Sequence, residues 1–235
     1  MSKIAVIGTG AVGRTLASKL VSLGHEVMMG TRNVADKLAA TAKDLYSNPP
    51  FSEWHAANKS VQLGTFAEAA AFGEIILNAT HGGNSIQALT LAGAKNLDGK
   101  VLVDIANPLD FSKGMPAVLL PDLSNTNSLG EEIQKAFAGA KVVKTFNTMW
   151  AGLMVDPNMI AGGDHTAFIC GNNTEAKTRV KSLMNEFGWK SENILDLGDI
   201  SAARGTEAVL PLWLRIWSVR QSGAFNFKVV SYSRN

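Results

Sequence analysis

The 235-residue chain has a single cysteine, Cys170, and only two tyrosines, Tyr46 and Tyr232. One cysteine permits no intrachain disulfide and no CxxC thiol or zinc site. Its neighbours Ala167, Phe168, Ile169 and Gly171 are apolar, which suits a buried structural thiol better than a nucleophile. Neither tyrosine is followed at the right spacing by lysine, so the Tyr-x-x-x-Lys pair of short-chain dehydrogenases is absent. Charge is scarce as well. Asp, Glu, Lys and Arg make up 18% of the chain and the net charge is +2. With no Lys/Arg stripe interleaved with aromatics, neither nucleic acid nor a membrane surface is an expected partner. The apolar stretch Ile4 to Ile7 is too short for a signal peptide or a membrane span. His165, after Gly162-Gly163-Asp164, has no companions at metal-ligand spacing, so no metal is expected. Hydrophobic residues make up 46%. The expectation is a soluble, cytoplasmic protein with a sizeable core.

What is present is an alternation of short apolar runs with helix-period segments, the pattern of βαβ units. The fold class expected is α/β, a Rossmann-type, mostly parallel doubly wound sheet. Lys3 to Ile7 reads as a strand, Val12 to Leu23 as a helix ended by Gly24, and Glu26 to Met29 as the second strand. Ala35 to Tyr46 reads as a helix that Asn33 caps, and Ser47 to Ser60, with Pro49-Pro50, as a surface loop. Thr65 with Glu68, and Ser128 with Glu131, form capping boxes for two later helices. Further strands fall at 61–63, 74–78, 101–105, 142–146, 166–170 and 194–197, and further helices at 85–92 and 175–187. The Pro- and Gly-punctuated stretch from Asn107 to Asn127 suits an ordered wall of a site. A long helix from about Ser201, apolar nearly all round, suits burial in a core or a subunit interface. Its Trp213 and Trp217 fit a homodimer contact or a monomer's own interior equally well.

Gly8-Thr9-Gly10-Ala11-Val12-Gly13 follows the first strand and opens the first helix, the context that gives a GxGxxG pattern its meaning. Gly8 permits the tight turn, Gly10 lets backbone approach a pyrophosphate, and Gly13 allows the helix to pack close to the strand. The helix amides then face the anion. At the end of the second strand a site for NAD places Asp or Glu on the ribose 2′-hydroxyl. Here the chain reads Gly30-Thr31-Arg32-Asn33, with no acid before Asp36. Gly30 removes bulk, Thr31 can donate a hydrogen bond, and Arg32 can pair with a 2′-phosphate and stack on adenine. NADP is therefore favoured over NAD.

Ligands of open α/β sheets lie beyond the carboxyl ends of the strands. Three of those ends are small and polar: Ala79-Thr80-His81-Gly82-Gly83, Ala106-Asn107-Pro108 and Asn147-Thr148-Met149. They are the expected lining around the nicotinamide. His81 is the candidate acid, since imidazole suits proton transfer at neutral pH. The competing reading is that it only packs or hydrogen-bonds beside the cofactor. So modest a site suits hydride transfer between two heteroaromatic rings, which needs little beyond positioning.

The phosphate loop and Gly30-Thr31-Arg32 combine with Val142-Val143, Asn147-Thr148 and Ile169-Cys170-Gly171-Asn172-Asn173. Downstream come Asp196-Leu197-Gly198, Ala203-Arg204, Glu207 and Pro211-Leu212. Together these residues resemble the NADPH-dependent coenzyme F(420) oxidoreductases, whose domain also occurs in six-transmembrane metalloreductases. The resemblance runs nearly end to end and is most specific from Phe168 to Pro211. It implies an NADP-binding Rossmann domain over residues 1–150 and a small C-terminal α/β part over 151–235 that completes the substrate cleft. It also implies that NADPH meets a small-molecule redox partner there: coenzyme F(420), FMN or FAD. Thr9, Thr31 and Arg32 match positions that hold NADP, and Asn147 to Met149 a stretch near the nicotinamide. Where the family often has a second basic residue this chain has Asn33, with Lys37 one turn on. Segments 48–60 and 106–127 are longer than in the deazaflavin enzymes. Two other functions compete. An imine or carbonyl reductase of the pyrroline-carboxylate reductase type needs a helical dimerisation domain, for which residues 199–235 are short. A non-catalytic NADPH-binding sensor or scaffold would bind without turnover.

Overall fold

A computed structural model describes residues 1–43 and 49–232. Ten strands are found among them: β1 Lys3–Ile7, β2 Glu26–Thr31, β3 Val61–Thr65, β4 Ile75–Asn78, β5 Val101–Asp104, β6 Leu109–Asp110, β7 Val118–Leu119, β8 Lys141–Thr145, β9 Ala167–Cys170 and β10 Ile194–Asp196. The helices are α1 Ala11–Ser22, α2 Val34–Ala39, α3 Phe51–Ala57, α4 Phe66–Phe72, α5 Ser85–Ala92 and α6 Ala94–Leu97. They continue with α7 Leu129–Ala136, α8 Ala151–Val155, α9 Thr174–Glu186, α10 Ala203–Ala208 and α11 Leu210–Arg220.

Eight strands form one sheet in the order β10-β9-β8-β5-β4-β1-β2-β3. Its pairings are parallel except β8 with β9. From β3 to β8 this is the doubly wound dinucleotide-binding order, which reverses between β1 and β4. The central strands are buried on both faces and so read as continuous apolar runs. Ile4 and Val6 of β1 face the core under α1, α8 and α9, while Ala5 and Ile7 face the core under α4, α5 and α7. The C-terminal strands β9 and β10 extend the same sheet.

Most expected elements are present with ends moved by a residue or two. Three expectations change. The stretch from Ser47 to Ser60, expected as a surface loop, carries α3, with Phe51 only 2% exposed. Pro50 stands before the helix as its N-cap and starts it rather than marking a loop. Phe51 packs against Trp54 and His55 at helical spacing. The helix expected to run to Tyr46 has already ended at Ala39, where Ala40 turns extended; residues 44–46 lie outside the described residues. The long helix from Ser201 is a short turn at Ile200–Ala202 followed by α10 and α11, with Pro211, which lacks an N–H, in the first turn of α11. α11 buries Leu210 and Leu214, while Leu212 and Val219 are exposed. Cys170 is buried, and its desolvated thiol is pushed up to about 12. Among the described residues, no helix is long and apolar enough to cross a membrane.

Candidate dinucleotide site

The turn after β1 is set by its glycines. Gly8 has φ +116°, donates its N–H to the Gly30 carbonyl at 3.1 Å, and has no room for a Cβ, which would lie 2.6 Å from the Ala79 carbonyl oxygen. A Cβ on Gly13 would lie 2.3 Å from the Gly8 carbonyl oxygen, so α1 packs onto the turn only without one. Gly10 differs: a Cβ there would meet nothing within 4 Å. It is the open side of the loop, where a ligand can approach the backbone. Gly10 is also the N-cap of α1, makes no side-chain cap bond, and is followed by a first turn without acidic residues. The first amides of α1 thus lie toward an uncapped, positive helix end.

Two small hollows adjoin this loop. One, of about 230 Å³, is lined by Gly8, Thr9, Gly10, Arg32, Phe66, Ala79, Thr80, His81, Asn84 and Ala88. The other, of about 170 Å³, is lined by Val12, Ala79, Thr80, His81, Gly82, Ile105, Ala106, Asn107, Leu109 and Phe111. They share Ala79, Thr80 and His81. The predicted phosphate loop, Arg32, the end of β4 and Asn107 therefore come together at one cleft. The stretch expected as a site wall is ordered, its β6–β7 hairpin presenting Leu109 and Phe111. His81 is exposed, with its ring 5.5 Å from that of Phe111.

The remaining predicted residues lie close by without lining either hollow. Ala11 starts α1, and Thr31 is buried at the end of β2. The Asn33 side chain accepts from the Asp36 amide at 3.2 Å and caps α2, and Lys37 lies over the Phe51 ring at 5.3 Å. Asn147 bonds reciprocally with Asn107: Asn107 Nδ2 donates to the Asn147 carbonyl at 2.8 Å, and Asn147 Nδ2 to Asn107 Oδ1 at 3.0 Å. Thr148 and Met149 are buried beneath. Gly30 makes room for α4 rather than for a ligand, since a Cβ there would touch Ile7, Ala69 and Phe66 within 3.2 Å.

Sequence reasoning missed two groups. Arg14 is 8% exposed and ties the phosphate loop to the segment before α3: Nε donates to the Thr9 carbonyl at 3.1 Å and Nη1 to the Pro49 carbonyl at 2.7 Å. Under the cleft floor, the fully buried Lys144 lies 2.7 Å from Asp104 and 2.8 Å from Glu207, and donates to the Ala106 carbonyl. Asp104 Oδ1 accepts from the Ala106 amide and from Asn78 Nδ2. Glu207 accepts from the amides of Leu129 and Gly130, the first turn of α7. Burial pulls the Lys144 ammonium down, but the charges of Asp104 and Glu207 outweigh it and hold it above its ordinary value. Burial pushes the Glu207 carboxyl up against the pull of Lys144. In the sequence this was hinted at only by a residue type out of place, a lysine inside the strand Lys141–Thr145, and by Glu207 among the residues of the family resemblance.

A bound dinucleotide fits these residues: an uncapped helix end for the pyrophosphate, an open Gly10, and Arg32 at the end of β2 where a 2′-phosphate belongs. Comparison with known proteins agrees. Residues 3–108 match the family model of NADP oxidoreductases that are coenzyme F(420)-dependent. The F(420)-dependent NADP reductase of Methanothermobacter marburgensis is 30% identical over 221 residues, covering 91% of this chain and 92% of that protein. Metalloreductase STEAP3 of Rattus norvegicus is 29% identical over 235 residues, 99% of this chain, which spans 41% of that relative's length. A crystal structure of a candidate F(420)-dependent NADP reductase from Arthrobacter sp. FB24 superposes with a TM-score of 0.91 at 53% identity, covering 98% of this chain and 100% of that one. The chain belongs to the coenzyme F(420)-dependent NADP oxidoreductase family, and by class it is an NADP-dependent oxidoreductase.

Proposed function

We propose that the chain transfers a hydride between NADPH and a planar heteroaromatic acceptor, a deazaflavin such as coenzyme F(420) ahead of FMN or FAD. The observation that carries this reading is the meeting of two unlike hollows at Ala79, Thr80 and His81. One has the glycine loop and Arg32, suited to phosphates. The other has Val12, Ile105, Leu109 and Phe111, suited to the face of a ring. The name of the methanobacterial relative, an F(420)-dependent NADP reductase, supports the deazaflavin as first choice.

When bound, the nicotinamide supplies the hydride chemistry. The chain's own residues bind, orient and exclude water. The α1 amides and Gly10 would hold the pyrophosphate, and Arg32, with Thr31 buried behind it at the end of β2, would hold the 2′-phosphate. Leu109 and Phe111 of the hairpin cover the ring-sized hollow. His81, packed on Phe111, orients the acceptor and is the side chain placed to pass it a proton. From the C-terminal part, Glu207 of α10 supports the cleft floor from below by binding Lys144 under the Ala106 peptide.

Stopped-flow loss of NADPH absorbance on mixing with coenzyme F(420), FMN or FAD tests the proposal. Turnover with F(420) faster than with either flavin is expected. Tight NADPH binding without turnover with any of the three would sink it and favour a sensor or scaffold.

A further inference from the structure

The floor of the cleft carries a hydrogen-bond polarity that can be worked out atom by atom. Asp104 is ion-paired to Lys144 at 2.7 Å and, as a carboxylate, can only accept. Its Oδ1 takes a bond from the side chain of Asn78 at 2.8 Å, so the Asn78 amide must present its nitrogen there. That orientation sends Asn78 Oδ1 to the other side, where it accepts from Thr80 Oγ1 at 2.7 Å and from the Thr80 amide at 3.4 Å. The single hydroxyl proton of Thr80 is thereby committed inward. Ser85 Oγ accepts from Asn78 Nδ2 at 3.1 Å and lies 2.8 Å from Thr80 Oγ1. With the Thr80 proton spent on Asn78, Ser85 is the donor of that pair. Asn78, Ser85 and Asp104 are each 0% exposed, so water does not offer them other partners.

Thr80 Oγ1 has then given its proton to Asn78 and accepted one from Ser85, which leaves one lone pair on an atom of a residue that lines both hollows at their junction. A phosphate oxygen or a carbonyl at that point would face a lone pair. A rotatable ribose hydroxyl would be indifferent to the polarity. A fixed acceptor discriminates only for a group whose donor is fixed too. A pyridine dinucleotide has two, the adenine amino group, which goes with the 2′-phosphate toward Arg32, and the carboxamide N–H, which goes with the ring toward the hollow of Val12, Ile105, Leu109 and Phe111.

Resting on the dinucleotide reading above, we propose that Thr80 is a specificity-determining residue that accepts a hydrogen bond from the nicotinamide carboxamide. Asp104 acts through Asn78 as the positioning residue that fixes this polarity. The Lys144–Glu207 pair holds Asp104 in place from the C-terminal helices.

The test compares NADP⁺ with its 3-acetylpyridine analogue, in which a methyl group replaces the amide nitrogen, by calorimetric titration of the full chain. The native chain should bind NADP⁺ about 5- to 10-fold more tightly than the analogue, the worth of one hydrogen bond. Thr80→Val, which keeps the shape, should bring the two ligands within about twofold by weakening NADP⁺ alone. Thr80→Ser should restore the native ratio. Thr80→Ala replaces Thr80→Val if the latter does not fold, as judged by circular dichroism. Equal binding of both ligands by the native chain overturns the assignment, as does a Thr80→Val variant that keeps the preference or weakens both ligands alike. A Thr80→Ser variant that behaves like Thr80→Val overturns it too. A native chain that binds neither ligand is a different result, for it removes the dinucleotide reading itself.

Discussion

The phosphate loop at 8–13 and the cleft floor under 78–80 follow neighbouring strands, β1 and β4, yet they are built from opposite materials. The loop is backbone. Its three glycines remove side chains, Gly10 is open, and the α1 amides it precedes have no side-chain cap. The floor is side chain. Asn78, Asp104, Lys144 and Glu207 are all 1% exposed or less, and each bonds to another or to buried backbone. The first region leaves backbone open to the cleft. The second is satisfied internally and serves by keeping its neighbours in one orientation. Substitutions at the open Gly10 should therefore act mainly on binding and those in the floor mainly on folding, with Gly8 and Gly13, whose Cβ positions are filled, as the exceptions within the loop.

The largest effect is expected at Lys144. Lys144→Met strands two carboxylates in the interior and should cost about 3–5 kcal/mol of unfolding free energy in urea. Adding Asp104→Leu removes one of the two stranded carboxylates and should recover part of that loss, the rest remaining because Glu207 keeps no lysine and the Asn78 and Ala106 donors lose their acceptor. Next comes the contrast within the loop. Gly13→Ala drives a Cβ to 2.3 Å from the Gly8 carbonyl oxygen, a backbone atom that cannot swing aside. It should cost about 1–3 kcal/mol of stability as well as affinity. Gly10→Ala meets empty space at an ordinary φ of −75°. Its melting temperature should stay native while NADP⁺ affinity falls, because the methyl occupies the approach to the pyrophosphate. Equal melting losses in the two alanine variants would erase the distinction.

The same contrast explains what was legible in the sequence. Glycine roles are local, since Gly8, Gly10 and Gly13 act within one turn, and the apolar runs of the sheet follow from burial on both faces. The loop, Arg32, the β4 end and Asn107 could thus be placed before any coordinates. The floor depends on strand adjacency. Asp104 and Lys144 are register partners across β5 and β8, a pairing no local pattern states. Glu207 reaches them from a helix more than 60 residues beyond Lys144 and stood out only through family resemblance. Asn33 was legible in two ways, as a cap and as a ligand residue; its side chain caps α2. Pro49-Pro50 misled because proline marks helix starts as readily as loops, and the signal that decided it, Phe51 against Trp54 and His55, is tertiary.

Arg32 sharpens the binding side of the comparison. It is exposed and lines the hollow with Gly8, Thr9 and Gly10. Arg32→Ala should weaken NADPH binding by about 10- to 100-fold, the worth of a charge-assisted contact, and leave most of any NADH affinity. Titration with both nucleotides checks this. Equal losses for the two would remove the 2′-phosphate assignment and leave Arg32 a general surface charge.

The smallest effect belongs to Glu207 and is a slope rather than a step. Burial raises its carboxyl above the ordinary 4.5, so as pH rises past 4.5 the unfolded chain releases this proton before the folded chain does. Stability from this group is fully present below pH 4.5 and declines as pH rises through the folded value, by at most about 1.4 kcal/mol per pH unit. Glu131 has the opposite sign, because Arg204 lowers it: its contribution is present above 4.5 and lost as pH falls. The two contributions therefore lie in different pH windows. Lys144, raised above 10.5, adds its own loss only in strong alkali. Urea unfolding at pH values rising from 4.5 should show native stability declining relative to Glu207→Gln, whose side chain does not titrate. A parallel pair of curves would mean that Glu207 stays ionised throughout, held by Lys144 and the two α7 amides. The floor would then behave as a fixed ion pair with no proton to give up.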